Sequence, residues 1–332
     1  MSYTTKKFKT DLAPTGYLTY RYYLPPGFGE ENKFSKKLPL LLCLHGGGGN
    51  ETYCDNVSKT ILMREKYRSK RWTSPLPPMC IVAPATNEMA NGTRGRLFWA
   101  NAKDKPNQQI ETLLVTTFLS HLRKTLPIKK SRDDTFIYGS SMGGMGGLRL
   151  AFKHPHLFHA VSVMEPAIEP VKNWKDVMPF FRKHNINYRP VELMETFFGK
   201  PIDEEFYKEN NVLAIVEKNG QLIKESGLRI YFEVGNMDDF GLYFGADALH
   251  RELFDLNILH EFKLVDKGRH VSTHMLHRSM DSFNFLARVL DPVYNNDNNN
   301  MSNTVQLLQA AQTKKEKLNI QNNNQSNTDS RL

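Results

Sequence analysis

Short runs of apolar and β-branched residues alternate along the chain with longer segments of helical periodicity. The periodic segments predict helices at 108–125, 142–153, 245–255 and 272–288. The apolar runs are almost continuous in several places, as expected of parallel strands covered on both faces. The chain therefore predicts an α/β fold with a mostly parallel central sheet and helices on both faces. The predicted strands are residues 17–23, 38–44, 79–83, 135–138, 160–164, 228–234 and 260–265.

Two segments depart from this alternation. Residues 165–227 are rich in aromatic, proline and charged positions, and we interpret them as a cap insertion, with a peripheral insertion as the alternative. From residue 294 the composition turns to asparagine and glutamine, which bury too little apolar surface to offset chain entropy. We expect a single folded domain over residues 1–293 and a disordered tail over 294–332, with a short helical pattern at 305–317.

Charge and cysteine content argue against several classes of function. The formal net charge is +9, but the lysines and arginines are scattered and form no known nucleic-acid motif, so we expect no nucleic-acid partner. Cys43, Cys54 and Cys80 are too few and too irregularly spaced for a disulfide framework or a zinc site. The first residues are polar and basic, and no apolar run reaches 18 residues. We therefore expect no membrane partner and a cytoplasmic location.

The segment Gly139-Ser140-Ser141-Met142-Gly143 connects a predicted strand to a predicted helix. A serine between two such glycines is typical of a nucleophile elbow, a turn so tight that larger flanking side chains would clash. The alternative is a glycine-rich turn with a helix-capping serine. We expect Ser141 to be a nucleophile and the Met142 N–H to donate to an oxyanion. Ser140 has the wrong spacing to the glycines for the nucleophile.

Four consecutive glycines, residues 46–49, follow His45 at the end of a predicted strand. Glycines let backbone N–H groups approach a substrate carbonyl, and such a loop supplies a second oxyanion donor in α/β hydrolases. A phosphate-binding loop is the alternative, but the Lys-Ser/Thr ending of a P-loop is missing. We expect Gly46 or Gly47 to donate and His45 to orient the loop.

An acid and then a general base should follow the nucleophile in the sequence, each on a loop after a strand. The loop after the predicted strand 228–234 contains Asp238 and Asp239. We expect Asp238 to be the acid, because the carboxylate commonly stands three residues after the glycine that opens this loop. Asp239 is the alternative; otherwise it would cap the helix near Phe240.

His270 follows the last predicted strand, where the general base belongs. The other candidate histidines fall within predicted helices or at a strand start. His270 and His274 have the i, i+4 spacing that a metal site could use, but no HExxH motif or carboxylate partner accompanies them. We therefore expect no metal ion and no cofactor.

Taken together, these motifs resemble the esterase D-like branch of the α/β hydrolases, the Putative esterase family. That family holds feruloyl and acetyl-xylan esterases, S-formylglutathione hydrolases and mycolyl transferases. The resemblance covers about residues 38–290. It is carried by the glycine loop at 45–50, the elbow at 141–144 with Gly146 and Gly147 beyond it, and the segments 235–238 and 249–253.

The resemblance implies an α/β-hydrolase catalytic domain with Ser141, Asp238 and His270 as its triad and no cofactor. The motifs predict a serine esterase for small-molecule esters, in which an acyl-enzyme forms and is then hydrolysed. A thioester hydrolase, an acyltransferase or a peptidase fits as well, because a triad specifies acyl transfer and not the leaving group. A non-catalytic binding protein on the same scaffold is the remaining alternative. The oligomeric state is not encoded in these motifs.

Removal of residues 296–332 is expected to leave the hydrolysis rate and the Tm nearly unchanged, because an asparagine-rich segment contributes little buried area. Turnover of p-nitrophenyl acetate and thermal melting of the full and shortened chains measure the two quantities. A large fall in either would show that the tail docks on the domain.

Overall fold

One eight-stranded sheet organises the fold, seen in a computed structural model that describes residues 2–28, 37–69, 73–86, 98–186, 191–271 and 275–291. Its strands are β1 (Ser2–Lys9), β2 (Tyr17–Leu24), β3 (Leu40–Leu44), β4 (Cys80–Pro84), β5 (Thr135–Ser140), β6 (Ala160–Met164), β7 (Arg229–Gly235) and β8 (Glu261–Val265). They lie in the order β1-β2-β4-β3-β5-β6-β7-β8. β2 is antiparallel to β1 and β4, and all other neighbours are parallel. The predicted mostly parallel sheet is confirmed.

Helices connect the parallel strands and cover the sheet. β3, β4 and β6 are buried at every position, so both faces of the central sheet are covered. A π-helical segment, Leu113–Phe118, joins α2 and α3. The described helices are α1 (Tyr53–Tyr67), α2 (Ile110–Thr112), α3 (Leu119–Thr125), α4 (Met142–Lys153), α5 (Trp174–Lys183), α6 (Val191–Phe198), α7 (Glu204–Asn210), α8 (Val212–Ser226), α9 (Leu242–Asp255) and α10 (Met275–Leu290).

The predicted strands coincide with β2 to β8 within two residues at each end. β1 was missed because it is an edge strand that pairs with β2 alone and carries lysines in place of an apolar run. α1 was missed for a similar reason, since it buries only a narrow set of positions such as Cys54 and Val57. The predicted helix at 142–153 matches α4 at both ends.

Residues 165–227, interpreted above as a cap, contain α5 to α8. The last of these, α8, packs against α4 and α9. The tail at 294–332, including the helical pattern at 305–317, lies outside the described residues. In the part of the chain that the structure describes, every helix is too short or too polar to cross a lipid bilayer.

The central helix α4 packs unusually close to its neighbours. A Cβ atom on Gly146 would lie 2.4 Å from the Trp99 Cβ, and one on Gly147 would lie 2.9 Å from the Ile137 Cγ2. Trp99 itself is fully buried. The missing side chains therefore let α4 lie close to Trp99 on one side and to β5 on another.

Gly146→Ala is expected to lower the free energy of unfolding by about 1–3 kcal/mol, because the new methyl group would overlap Trp99. On an exposed helix the same change would instead stabilise the protein by about 1 kcal/mol. Gly220→Ala in α8 is the matched control, because its Cβ would meet a terminal methyl of Leu256 at 2.9 Å, which can rotate away. Urea unfolding of both variants measures the difference, and equal stabilities would contradict the tight packing of α4.

Candidate active site

Four polar side chains follow four neighbouring strands at the same edge of the sheet. Ser141 comes directly after β5, Glu165 directly after β6, Asp238 shortly after β7, and His270 shortly after β8. These strands are parallel to one another, so their carboxyl ends lie at one edge. In open α/β sheets this is the edge where functional groups gather.

Ser141 occupies a strained turn between β5 and α4. Its backbone has φ 54° and ψ −117°, a conformation that non-glycine residues rarely adopt. Its N–H donates to the Met164 carbonyl at 2.9 Å, and its own carbonyl accepts from Met145 at 3.0 Å and from Ala167 at 3.1 Å. These backbone hydrogen bonds hold the turn from both sides and project the Ser141 side chain out of the sheet edge, as an elbow requires.

The backbone around Ser141 leaves no room for side chains at the two flanking glycines. A Cβ on Gly139 would lie 2.4 Å from the Gly143 carbonyl oxygen. A Cβ on Gly143 would lie 1.9 Å from the Leu44 carbonyl oxygen. Both distances are far below van der Waals contact, so the turn cannot close with any larger residue at either position. Ser140, by contrast, accepts a hydrogen bond from the Tyr53 hydroxyl at 3.2 Å.

The glycine loop lies beside the elbow. A Cβ on Gly46 would be 3.4 Å from the Ser141 Cβ, so the loop backbone passes directly over the serine. Within the described residues, the backbone N–H groups of Gly46, Gly47 and Met142 donate to no acceptor. Met142 is the first residue of α4, where the helix dipole favours a negative charge. Among the described residues, the unpaired N–H groups of Met142 and Gly46 thus belong to residues next to Ser141, and Gly47 is the following residue of the same loop.

His45 orients this loop, as expected from the sequence. It is fully buried, its Nδ1–H donates to the Gly46 carbonyl at 2.8 Å, and its Nε2 accepts from the Thr86 N–H at 3.3 Å. Burial lowers the pKa of His45 to about 4, so the ring is neutral at pH 7. The Trp99 indole N–H donates to the His45 carbonyl at 3.1 Å and fixes the residue further.

His270 and Asp238 are hydrogen bonded. The His270 Nδ1 lies 2.8 Å from the Asp238 Oδ2, and both side chains are largely shielded from solvent. The other oxygen, Oδ1, accepts from the Phe240 N–H at 2.9 Å and from the Leu242 N–H at 3.3 Å. Three donors therefore orient this carboxylate toward the imidazole.

Asp239 has a different role from the one expected. We expected it to cap the helix near Phe240, but Asp238 accepts the Phe240 N–H instead. Asp239 is half-exposed, and its carboxylate lies 3.7 Å from the Arg269 guanidinium. Its side chain therefore faces solvent and Arg269.

The hydrogen bonds of the described residues do not include one between Ser141 and His270. In ligand-free enzymes such bonds are often long and shorten when the substrate binds. Burial lowers the pKa of His270, but the Asp238 hydrogen bond and the Glu165 charge outweigh it, and the net pKa is raised. The imidazole is therefore a stronger base than a free histidine.

Sequence reasoning missed a buried carboxylate at this site. The Glu165 Oε2 lies 3.4 Å from the His270 Nδ1, and the Glu165 carboxylate is ion paired with Arg278. Arg278 also forms two hydrogen bonds with Glu233, at 2.8 and 2.9 Å. The available signal was Glu233 itself, a charged residue that follows the apolar run Ile230-Tyr231-Phe232 in a predicted strand.

Glu165, Asp238 and His270 offer metal-type donor atoms within 4.8 Å of one another. At 2.8 Å, however, the space between the His270 Nδ1 and the Asp238 oxygen fits a proton and not a metal ion. His274, the other histidine considered for a metal, lies outside the described residues.

The sequence profile of the Putative esterase family matches residues 14–255. The chain belongs to this family. It is therefore a hydrolase with the α/β-hydrolase fold, and the resemblance drawn from the motifs is confirmed. No curated protein sequence matches the chain.

Several solved structures share the fold of this protein. A ferulic acid esterase superposes with a TM-score of 0.65 at 20% identity, covering 87% of this chain and 98% of its own. The fluorophosphonate-binding serine hydrolase F (FphF) of Staphylococcus aureus gives 0.62 at 16% identity, covering 86% and 98%. An S-formylglutathione hydrolase from Agrobacterium tumefaciens gives 0.61 at 18% identity, covering 87% and 95%.

Asp238→Asn is expected to lower kcat by up to about 10⁴-fold, because an amide favours the wrong imidazole tautomer. Asp239→Asn is the matched control and should keep its turnover, with a change in unfolding free energy below about 1 kcal/mol for an exposed ion pair. Steady-state kinetics and urea unfolding of both variants test this. The opposite ranking of kcat would assign the acid to Asp239.

Proposed function

We propose that the protein is a serine esterase that hydrolyses carboxylic esters through Ser141, His270 and Asp238 and an acyl-enzyme intermediate. One observation carries the proposal. The strained serine turn and the hydrogen-bonded His270–Asp238 pair stand at the same edge of neighbouring parallel strands. A nucleophile, a base and an acid in this order along the chain are the requirements of triad chemistry.

In the first half of the reaction, the Ser141 Oγ attacks the ester carbonyl while the His270 Nε2 takes the hydroxyl proton. Asp238 accepts the Nδ1–H, which keeps Nε2 free as the base and stabilises the imidazolium that forms. The imidazolium then protonates the departing alcohol, and the acyl group remains on Ser141.

The oxyanion of the tetrahedral intermediate needs donors that are not already engaged. The unpaired N–H groups of Met142 and of Gly46 or Gly47 meet this need beside Ser141. A donor of this kind contributes about 3 kcal/mol to the transition state. Because these N–H groups belong to a helix terminus and a loop fixed by His45, they require little rearrangement during the reaction.

Water completes the cycle in the second half. His270, neutral again, removes a proton from water as the oxygen attacks the acyl-enzyme carbonyl. The same N–H donors stabilise the second tetrahedral intermediate. Its collapse breaks the bond to the Ser141 Oγ, which recovers its proton from the imidazolium and releases the acid.

We propose a small-molecule ester as the substrate. Phe240 supports an apolar or aromatic group, since its half-exposed ring stands edge-on to His270 with 4.8 Å between ring centroids. Similarity to a ferulic acid esterase points the same way. Similarity to S-formylglutathione hydrolases favours thioesters as the second candidate. A panel of p-nitrophenyl esters and acyl thioesters of increasing acyl size distinguishes the two by kcat/KM.

The domain boundaries and the location belong to the same proposal. Residues 1–293 would form the catalytic domain, with 165–227 as the cap. Cys43, Cys54 and Cys80 are buried free thiols, which is consistent with the reducing cytosol that the cysteine count suggested.

A fluorophosphonate probe tests catalysis against the alternative of a binding protein on this scaffold. Such probes attach covalently to an activated serine, so peptide mapping should find the adduct on Ser141. An unlabelled protein, or an adduct on another residue, would contradict the proposed nucleophile.

Ser141→Ala is expected to reduce p-nitrophenyl acetate hydrolysis to below about one thousandth of the wild-type rate with the Tm kept, because the change removes a single hydroxyl. Ser140→Ala is the matched control. It loses the hydrogen bond from Tyr53 and keeps the turnover within the same order of magnitude. An active Ser141→Ala variant together with an inactive Ser140→Ala variant would reverse the assignment.

A further inference from the structure

The buried carboxylate of Glu165 is held in one position by its surroundings. Glu165 follows β6 directly and has φ 48°, a strained value for a residue with a side chain. Its N–H donates to the Glu233 carbonyl at 2.7 Å, and its side chain is fully buried. A strained backbone and complete burial are costly unless the carboxylate has partners that need it.

Those partners lie on two different elements. Arg278 of α10 forms an ion pair with the Glu165 Oε1, while the Oε2 accepts the Val271 N–H at 3.3 Å. The same Oε2 lies 3.4 Å from the His270 Nδ1, against 2.8 Å for the Asp238 oxygen. The imidazole N–H therefore faces two carboxylates, the nearer from the loop after β7 and the farther from the end of β6.

The balance of charge around this group is unusual. Asp238, Glu165 and Glu233 are three buried carboxyl groups, of which Glu165 and Glu233 share the guanidinium of Arg278 while Asp238 binds His270. Burial raises the pKa of Glu233 to about 7, even though Arg278 binds it with two hydrogen bonds. Arg278 therefore divides its positive charge between Glu165 and Glu233, whereas Glu165 and Asp238 both face the His270 ring. A proton arriving on His270 would place a positive charge beside both of these carboxylates.

We propose that Glu165 is a positioning residue for His270: as a second carboxylate on Nδ1, it holds the ring and stabilises the imidazolium formed when Ser141 is deprotonated. This role rests on the proposed serine-esterase function. Of the charged groups that act on His270, Asp238 and Glu165 raise its pKa and Arg278 lowers it. The Arg278 guanidinium donates hydrogen bonds to Glu233 and, at 3.0 Å, to the Arg269 carbonyl. Because it is held in this way, its ion pair with Glu165 orients the Glu165 carboxylate.

The first test measures the pKa of His270 directly by NMR titration of the histidine rings, with the signal assigned from a His270→Gln variant. Glu165→Gln is expected to lower this pKa, and with it the acid limb of kcat/KM, by about one pH unit. The sign follows because the base must be neutral, so a lower pKa keeps the enzyme active at lower pH. kcat should fall with little change in KM.

Glu233→Gln is the comparison variant, because Glu233 binds Arg278 and has no contact with His270 among the described residues. It should lower stability and move the acid limb less than Glu165→Gln does. A Glu165→Gln variant that loses stability while the His270 pKa and the acid limb stay unchanged would overturn the proposal, since Glu165 would then serve Arg278 alone. If Glu165→Gln does not fold, Glu165→Asp keeps a charge for Arg278 and shortens the reach to His270. A smaller shift in the same direction is expected, and an unmoved acid limb overturns the proposal.

A double-mutant cycle tests whether the two carboxylates act on one ring. Glu165→Gln should lower kcat by a larger factor in the Asp238→Asn variant than in the wild-type protein, because Glu165 is then the one of the two carboxylates left to orient the imidazole. Equal cost in both backgrounds would show independent roles and contradict the proposal. The NMR titration does not depend on hydrolysis, so an active Ser141→Ala variant would overturn the proposed function without deciding the role of Glu165.

Discussion

The close approach of α4 to the carboxyl ends of the central strands is the constraint on which the rest of the site depends. Gly143 lies against the Leu44 carbonyl so tightly that an added Cβ would be 1.9 Å from its oxygen. This contact brings the first turn of α4 against the end of β3, directly after Ser141 with its φ of 54°. It also places the glycine loop after β3 beside Ser141 and the start of the helix. The proposed nucleophile and the proposed oxyanion donors thus depend on one packing contact.

Charged side chains hold the opposite side of the site, around His270. Asp238 uses both oxygens of its carboxylate, because one accepts from His270 and the other accepts the N–H groups of Phe240 and Leu242 at the start of α9. Glu165, Glu233 and Arg278 lie behind it as a buried ion-pair network. Replacing such a network with apolar residues is often neutral or stabilising, so stability alone gives a weak reason to keep it. Its position against His270 supplies a chemical reason.

The residues of the proposed triad were easier to find in the sequence than the ion-pair network behind them. Glycine spacing around Ser141 and the position of His270 after a strand are local signals, because the turn geometry demands them. The strands were predictable wherever burial on both faces produced a continuous apolar run, as in β3. β1 was missed because an edge strand can form without such a run. Glu165 and Arg278 are 113 positions apart by their numbers and meet only through the fold. Neither carries a local pattern, so periodicity could not find the pair.

The distinction between Asp238 and Asp239 shows where local reasoning reaches its limit. Both follow the same strand, and the expected spacing favoured Asp238, but spacing alone does not say what the neighbour does. In the structure, the N–H groups of Phe240 and Leu242 converge on Asp238 and turn its second oxygen toward His270. Asp239 then faces solvent and Arg269. The fold thus favours Asp238 as the proposed acid, because this one buried carboxylate satisfies two backbone donors and His270. Leaving such donors unpaired would cost about 1–3 kcal/mol each.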